Sequence, residues 1–253
     1  MSNSPFLPTN SCEPYGEQHS TCLGVVLSGG LSSRMGKDKS ALMRNNIDML
    51  SYSKQLLTGA GIKQVVISAS HQEVSSGEHA TSNTVVNNNL INSDLINNDC
   101  VEDVFKNAGP LGGIYSIIKR YRPTALLVLP VDLPLMDSPS LTKLKQIGEL
   151  SHKACFYENN YLPLYLPVNA FVEQFLHHSF SVNINSSDNK QRSIRALLKQ
   201  IPSQEVAIDS PKVLFNSNTP EQWQYLKSNA FNLTPTQFES INHHTLPSRK
   251  SYV

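Results

Sequence analysis

From Leu27 to Lys39 the chain reads L-S-G-G-L-S-S-R-M-G-K-D-K. Gly29 and Gly30 let backbone N–H groups approach an anion with no Cβ in the way, and Arg34, Lys37 and Lys39 supply compensating positive charge. The chemistry that suits this composition is the binding of a phosphate chain. Two common phosphate loops are excluded by spacing. Gly30 and Gly36 stand six residues apart and Lys37 precedes Asp38, which breaks the G-x-x-x-x-G-K-[ST] pattern, and Gly29-Gly30 lacks the G-x-G-x-x-G spacing of dinucleotide sites. A Gly-rich turn with a solvated basic face is the bland alternative.

Three further segments carry groups able to act on such a ligand. Ala125 to Asp132 (A-L-L-V-L-P-V-D) is an apolar run ending in a carboxylate, with Leu133-Pro134 next. A lone acid at the end of a buried strand suits Mg²⁺, which takes one or two carboxylates together with phosphate oxygens; it equally suits capping of the turn that follows. In V-E-D-V-F-K-N-A-G-P-L-G-G-I, the Asp103 carboxylate can accept from N–H or hydroxyl donors of a ligand. Gly112 and Gly113 in that segment either approach a ligand or allow close packing. Near the end, F-N-S-N-T-P-E-Q places Thr219, Pro220 and Gln222 as a helix capping box, which leaves Asn216 and Asn218 to position phosphate or water, or simply to precede the cap.

Positioning these groups requires strands that end at one edge. Cys22 to Ser28, Gln64 to Ser68 and Ala125 to Val131 read as short buried strands. Helical spacing falls between and after them. Leu111, Ile114, Ile117, Ile118 and Tyr121 share one face of a helix that starts at Gly109 and ends before Pro123. Further helices are predicted near Met49 to Thr58, Ser138 to Leu150, Pro167 to His177 and Ser193 to Gln200. Alternation of this kind predicts a single three-layer α/β/α domain with a mostly parallel, Rossmann-like sheet, whose ligands bind at the carboxyl ends of the strands.

The domain is expected over residues 21–228, between polar tails at 1–20 and 229–253, with the Asn-rich stretch 87–98 (N-N-N-L-I-N-S-D-L-I-N-N) as a surface insertion. Basic and acidic residues number 21 and 20, so no footprint for nucleic acid or an anionic membrane stands out. The four cysteines are widely spaced and form no zinc pattern. With neither a signal-type N-terminus nor a run of membrane-spanning length, a cytoplasmic location is the expectation.

The first segment resembles the N-terminal motif of the molybdenum cofactor guanylyltransferase family, L-x-G-G-x-x-x-R-M-G-x-D-K. Each fixed position is met, by Leu27, Gly29, Gly30, Arg34, Met35, Gly36, Asp38 and Lys39. Val101 to Ile118 is similar to the family's E-D segment followed by G-P-L-x-G, and Phe215 to Glu221, shortened between the aromatic residue and the first Asn, to its F-x-N-x-N-T-P-E run. The resemblance covers about residues 22–228 in family order. It implies transfer of GMP from GTP to molybdenum-molybdopterin with release of pyrophosphate, and a requirement for Mg²⁺ on Asp132. It further implies nucleotide binding by Leu27, Ser28, Gly29, Gly30, Lys39, Ser68, Asp103 and Asp132. Arg34, Lys39 and Asp132 become the catalytic group, with Gly112, Gly113, Asn216 and Asn218 near the acceptor or behind the binding residues. Other cofactor-biosynthesis proteins or molybdoenzyme chaperones are the protein partners it suggests. A cytidylyltransferase acting on the same pterin, a sugar- or polyol-phosphate nucleotidyltransferase and a non-catalytic nucleotide-binding module are the alternatives. One position departs from the family: Ser68 stands where an Asn often touches the nucleotide, and a hydroxyl has shorter reach.

Overall fold

The computed structural model describes residues 22–28, 39–69, 100–105, 108–182, 192–229 and 231 of the 253. The Gly-rich segment 29–38 with Arg34, the Asn-rich stretch, the N-terminal tail and the residues after Phe231 lie outside these.

The described strands are β1 (Cys22–Leu27), β2 (Met43–Arg44), β3 (Ile47–Asp48), β4 (Val65–Ala69), β5 (Cys100–Glu102), β6 (Ala125–Pro130), β7 (Ala154–Tyr157), β8 (Asn160–Pro167) and β9 (Ser203–Val206). Among them run helices α1 (Met49–Gly59), α2 (Gly109–Tyr121), α3 (Ser138–Ser151), α4 (Ala170–His177), α5 (Ile194–Leu198) and α6 (Pro220–Asn229). Seven strands make one sheet in the order β5-β4-β1-β6-β8-β7-β9, and β2 and β3 form a small hairpin beside it. Every pairing in the large sheet is parallel except the two made by β8.

Side-chain alternation sends each strand's apolar residues to both faces, because successive Cβ atoms point opposite ways. Val26, Leu127 and Leu129 join Leu57 of α1, Leu141 and Leu144 of α3 and Trp223 and Leu226 of α6 in one core. Val25, Leu126 and Val128 join Ile114 and Ile117 of α2, Val172 and Phe175 of α4 and Leu197 of α5 in the other. Helices therefore cover both faces, as the three-layer reading requires. Polar caps start most of the helices: Asp48 accepts from Ser51 N in α1, Asp137 from Ser140 N in α3, Asn169 from Phe171 N and Val172 N in α4, and Ser193 from Ala196 N in α5. No helix among the described residues is long and apolar enough to cross a membrane.

Two differences from the sequence reading have physical causes. The helix expected near Pro167 starts at Ala170, because Pro167 ends β8 and Asn169 supplies the cap. The β7-β8 hairpin was not expected at all. Leu162, Leu164 and Leu166 do alternate, but Pro163 interrupts the run, and proline argues against a strand with neighbours on both sides. The structure accommodates it where the β7-β8 register shifts, between the Phe156-Leu164 and Tyr157-Asn160 pairs, so residues 161–163 bulge and proline's missing N–H leaves no gap in a regular ladder.

Candidate nucleotide site

Four parallel strands, β5, β4, β1 and β6, end at the same edge, and each is followed by a polar residue singled out from the sequence: Asp103 after β5, Ser28 after β1 and Asp132 just beyond β6, with Ser68 in the last turn of β4. This carboxyl-end placement is where ligands of open α/β sheets bind. The residues fall into two clusters.

The first cluster is built on β4. Ser68 is 3 % exposed, and its hydroxyl donates to Asp103 Oδ1 at 2.9 Å. Ser28 donates twice to the carbonyl of Ser68, from its backbone N and from its Oγ, both at 3.0 Å. Leu27 is tied to the other neighbour, its carbonyl accepting from Val131 N at 3.1 Å. The polar groups that Leu27 and Ser28 show here thus anchor the start of the Gly-rich segment between β4 and β6. Gly113 of α2 completes the cluster, since a Cβ there would lie 2.0 Å from Ser68 Oγ and 3.1 Å from Asp103 Oδ1. Gly112 is buried against Ala108. The packing reading of both glycines accords with that burial. Half-buried Asp103 has its pKa pushed up by desolvation, which the Ser68 hydrogen bond partly opposes.

The loop carrying Asp103 is fastened to α2 by Ser116, whose Oγ accepts from Val104 N and donates to the Gly112 carbonyl, each at 2.9 Å. Sequence reasoning missed Ser116. Its signal was present, a serine on the buried stripe one turn after Gly112, the position from which a hydroxyl bonds the i−4 carbonyl. The first turn of α2 follows Gly109, at φ +64°, and its Ala108 cap makes no side-chain hydrogen bond.

The second cluster joins three distant parts of the chain. Lys39, on a short 3₁₀ turn, places Nζ 3.2 Å from Asp132 Oδ2 and also donates to Asn218 Oδ1. The Lys39 and Asp132 side chains are 16 % and 13 % exposed, shielded enough for the charges to feel one another and open enough to meet a ligand. Asn218 is held by the predicted capping box: Gln222 Oε1 accepts from Asn218 N and Thr219 N, and Gln222 N donates to Thr219 Oγ1. Ser217 N donates to the Asp132 carbonyl at 3.1 Å, which fixes the 215–218 loop, Asn216 included, to the end of β6. The sequence singled out Asn218 and Lys39 separately but not their contact.

The β2-β3 hairpin, a few residues after Lys39, is locked to Phe231. The Arg44 guanidinium lies 4.2 Å from the Tyr52 ring centroid and 5.3 Å from that of Phe231, Arg44 Nε donates to the Pro134 carbonyl, and Asn45 Nδ2 donates to the Phe231 carbonyl.

The arrangement offers a lysine ammonium and a carboxylate beside the end of β6, and a second carboxylate three strands away, after β5. Asp132, a partly exposed carboxylate at a strand end, is an oxygen donor of the kind a hard divalent cation takes, although no group of three or more His, Cys, Asp or Glu side chains able to hold a metal gathers among the described residues.

The profile of the MobA-like NTP transferase domain matches residues 24–206. A molybdenum cofactor guanylyltransferase from Xanthomonas euvesicatoria is 32% identical over 206 residues, 80% of this chain and 93% of that protein. One from Campylobacter jejuni subsp. doylei is 25% identical over 205 residues, 81% of this chain and 94% of that protein. Among solved structures, molybdopterin-guanine dinucleotide biosynthesis protein A from Archaeoglobus fulgidus superposes with a TM-score of 0.58 at 17% identity, covering 81% of this chain and 97% of that one.

Proposed function

Because the chain belongs to the MobA-like NTP transferase family, we propose that it transfers GMP from GTP to the phosphate of molybdenum-molybdopterin, giving the guanine dinucleotide form of the cofactor and pyrophosphate. The observation that carries this reading is the meeting of Lys39, Asp132 and Asn218, drawn from three separate motifs to one point at the carboxyl edge of the sheet. An acceptor phosphate oxygen attacks the α-phosphorus of GTP in line. The new P–O bond forms as the bond to the β-phosphate oxygen breaks, and pyrophosphate leaves with that electron pair. Protein groups need only position and neutralise. Lys39 lies beside Asp132 and supplies a positive charge to the phosphate chain; Arg34, from the Gly-rich segment, adds a second. Leu27 and Ser28 anchor that segment, whose Gly29 and Gly30 bring N–H donors to the phosphates. Asp103 receives the nucleoside. Asn216 and Asn218 face the acceptor side, with Gly112 and Gly113 shaping the α2 wall. Mg²⁺, held by Asp132, would screen the triphosphate and polarise the reacting phosphoryl group.

The reaction belongs in the cytoplasm with its GTP, and we infer that proteins of cofactor synthesis or molybdoenzyme maturation deliver the pterin and take the product. The deciding experiment is pyrophosphate release with each of the four nucleoside triphosphates and a molybdopterin acceptor. GTP should turn over best. Faster turnover with CTP would make the enzyme a cytidylyltransferase, and no pyrophosphate with any triphosphate would make it a binding module.

A further inference from the structure

We infer that Ser68 is a positioning residue for guanine nucleotide binding, acting through Asp103 by fixing one carboxylate oxygen so that the other is presented to the nucleoside. The inference rests on the reading that Asp103 touches the nucleotide. A serine hydroxyl has one proton to donate, and that of Ser68 goes to Asp103 Oδ1 at 2.9 Å. Ser68 is buried, and the α2 backbone at Gly113 closes over its hydroxyl so tightly that a single added carbon would lie 2.0 Å from Oγ. Ser68 therefore has no donor left for a ligand. Its own backbone is pinned by the two Ser28 bonds, so the donor cannot drift along the strand. The backbone around Asp103 is held by the three-residue edge strand β5 before it and by the bond from Val104 N to Ser116 Oγ after it. The carboxylate itself is fixed by Ser68.

The hydrogen bond also favours the ionised form of Asp103, the form able to accept from a nucleoside, against the desolvation that opposes it. Among the described residues, Ser68 Oγ and the Gly113 backbone lie against this carboxylate, and neither carries a charge. Among the described residues, Glu102, Lys119 and Arg120 line the groove along Cys100, whose thiol also feels the charges of Lys54 and Asp103.

The test is a double-mutant cycle on Ser68→Ala and Asp103→Asn, read as GTP affinity by calorimetry between about pH 5 and pH 8. Ser68→Ala should weaken GTP binding about tenfold, the scale of one hydrogen bond to a charged group. Its loss of affinity on acidification should begin at higher pH than in the wild type, because the carboxylate has lost a partner of its ionised form. In the Asp103→Asn background the same substitution should change affinity less than twofold. Equal, additive losses in both backgrounds would mean that Ser68 touches the nucleotide itself, and full wild-type affinity and pH dependence in Ser68→Ala would show that it positions nothing; either overturns the inference. An Asp103→Asn variant that binds GTP normally would instead remove the nucleoside role of Asp103. Melting temperature confirms folding, and Ser68→Ala only removes one oxygen, so the core around it stays filled.

Discussion

Lys39, Asp132 and Asp103 are carboxylate and ammonium groups whose surroundings set different expectations for each. Asp132→Asn keeps the shape of the site and removes a charged metal ligand, so turnover should fall on the order of a hundredfold, about 3 kcal/mol of transition-state stabilisation. Raising Mg²⁺ should recover part of that loss, whereas Lys39→Ala should recover little and lose in both kcat and KM, since the lysine acts on phosphate directly. Pyrophosphate release across a magnesium series separates the two; full activity of a folded Asp132→Asn protein at low Mg²⁺ would move the metal to another residue. Asp103 carries the opposite balance. Burial raises its pKa above the unfolded value, so the folded chain binds that proton more tightly than the unfolded chain does. Its cost to stability is absent below the unfolded pKa and grows as pH rises through the folded one. Asp103→Asn should therefore melt higher than the wild type at about pH 8, with the gap narrowing toward about pH 4, while binding GTP more weakly. A melting temperature below the wild type at about pH 8 would contradict this.

At the scale of elements, the capping box of α6 does more than start a helix. Gln222 Oε1 holds the backbone N of Asn218, the residue whose side chain meets Lys39. Gln222→Ala should cost about 1 kcal/mol in urea unfolding, the usual worth of a cap, and should also raise KM because Asn218 is released. A stability loss with unchanged KM would make the cap purely structural. The box was legible in T-P-E-Q because its hydrogen bonds are local; its contact with Lys39 was not, because the two partners lie 179 positions apart and no local rule encodes that. The same division runs through the fold. β1, β4 and β6 were readable as apolar runs, and α2 as a stripe. β5, with three residues, is too short to carry a pattern, and β9 (S-Q-E-V) is polar enough that its pairing with β7, rather than its composition, makes it a strand. Ser68 was recognised as a departure, yet only the packing of α2 over β4 reveals what its hydroxyl does.

For the molecule as a whole, GTP with Mg²⁺ should raise the melting temperature more than CTP, ATP or UTP. A ligand at a hundred times its Kd adds about 2.7 kcal/mol, several degrees in a chain of this size. An equal or larger shift with CTP would count for the cytidylyl alternative. Removing most of residues 87–98 should leave folding and GTP binding intact, since the stretch lacks apolar periodicity and shortening a loop costs little. Insolubility of that variant, or GTP binding at least tenfold weaker, would show that the stretch belongs to the domain. The lock between the Arg44 hairpin and Phe231 has a further consequence for how the molecule is made. A chain emerging from the ribosome exposes β1, β4, β5 and β6, with Lys39, Asp103 and Asp132, long before Asn218 and Phe231. The pairing of Lys39 with Asn218 and the clasp on the hairpin thus form only after the strands that carry Lys39, Asp103 and Asp132 have been made, so the acceptor side of the site is completed after its nucleotide side.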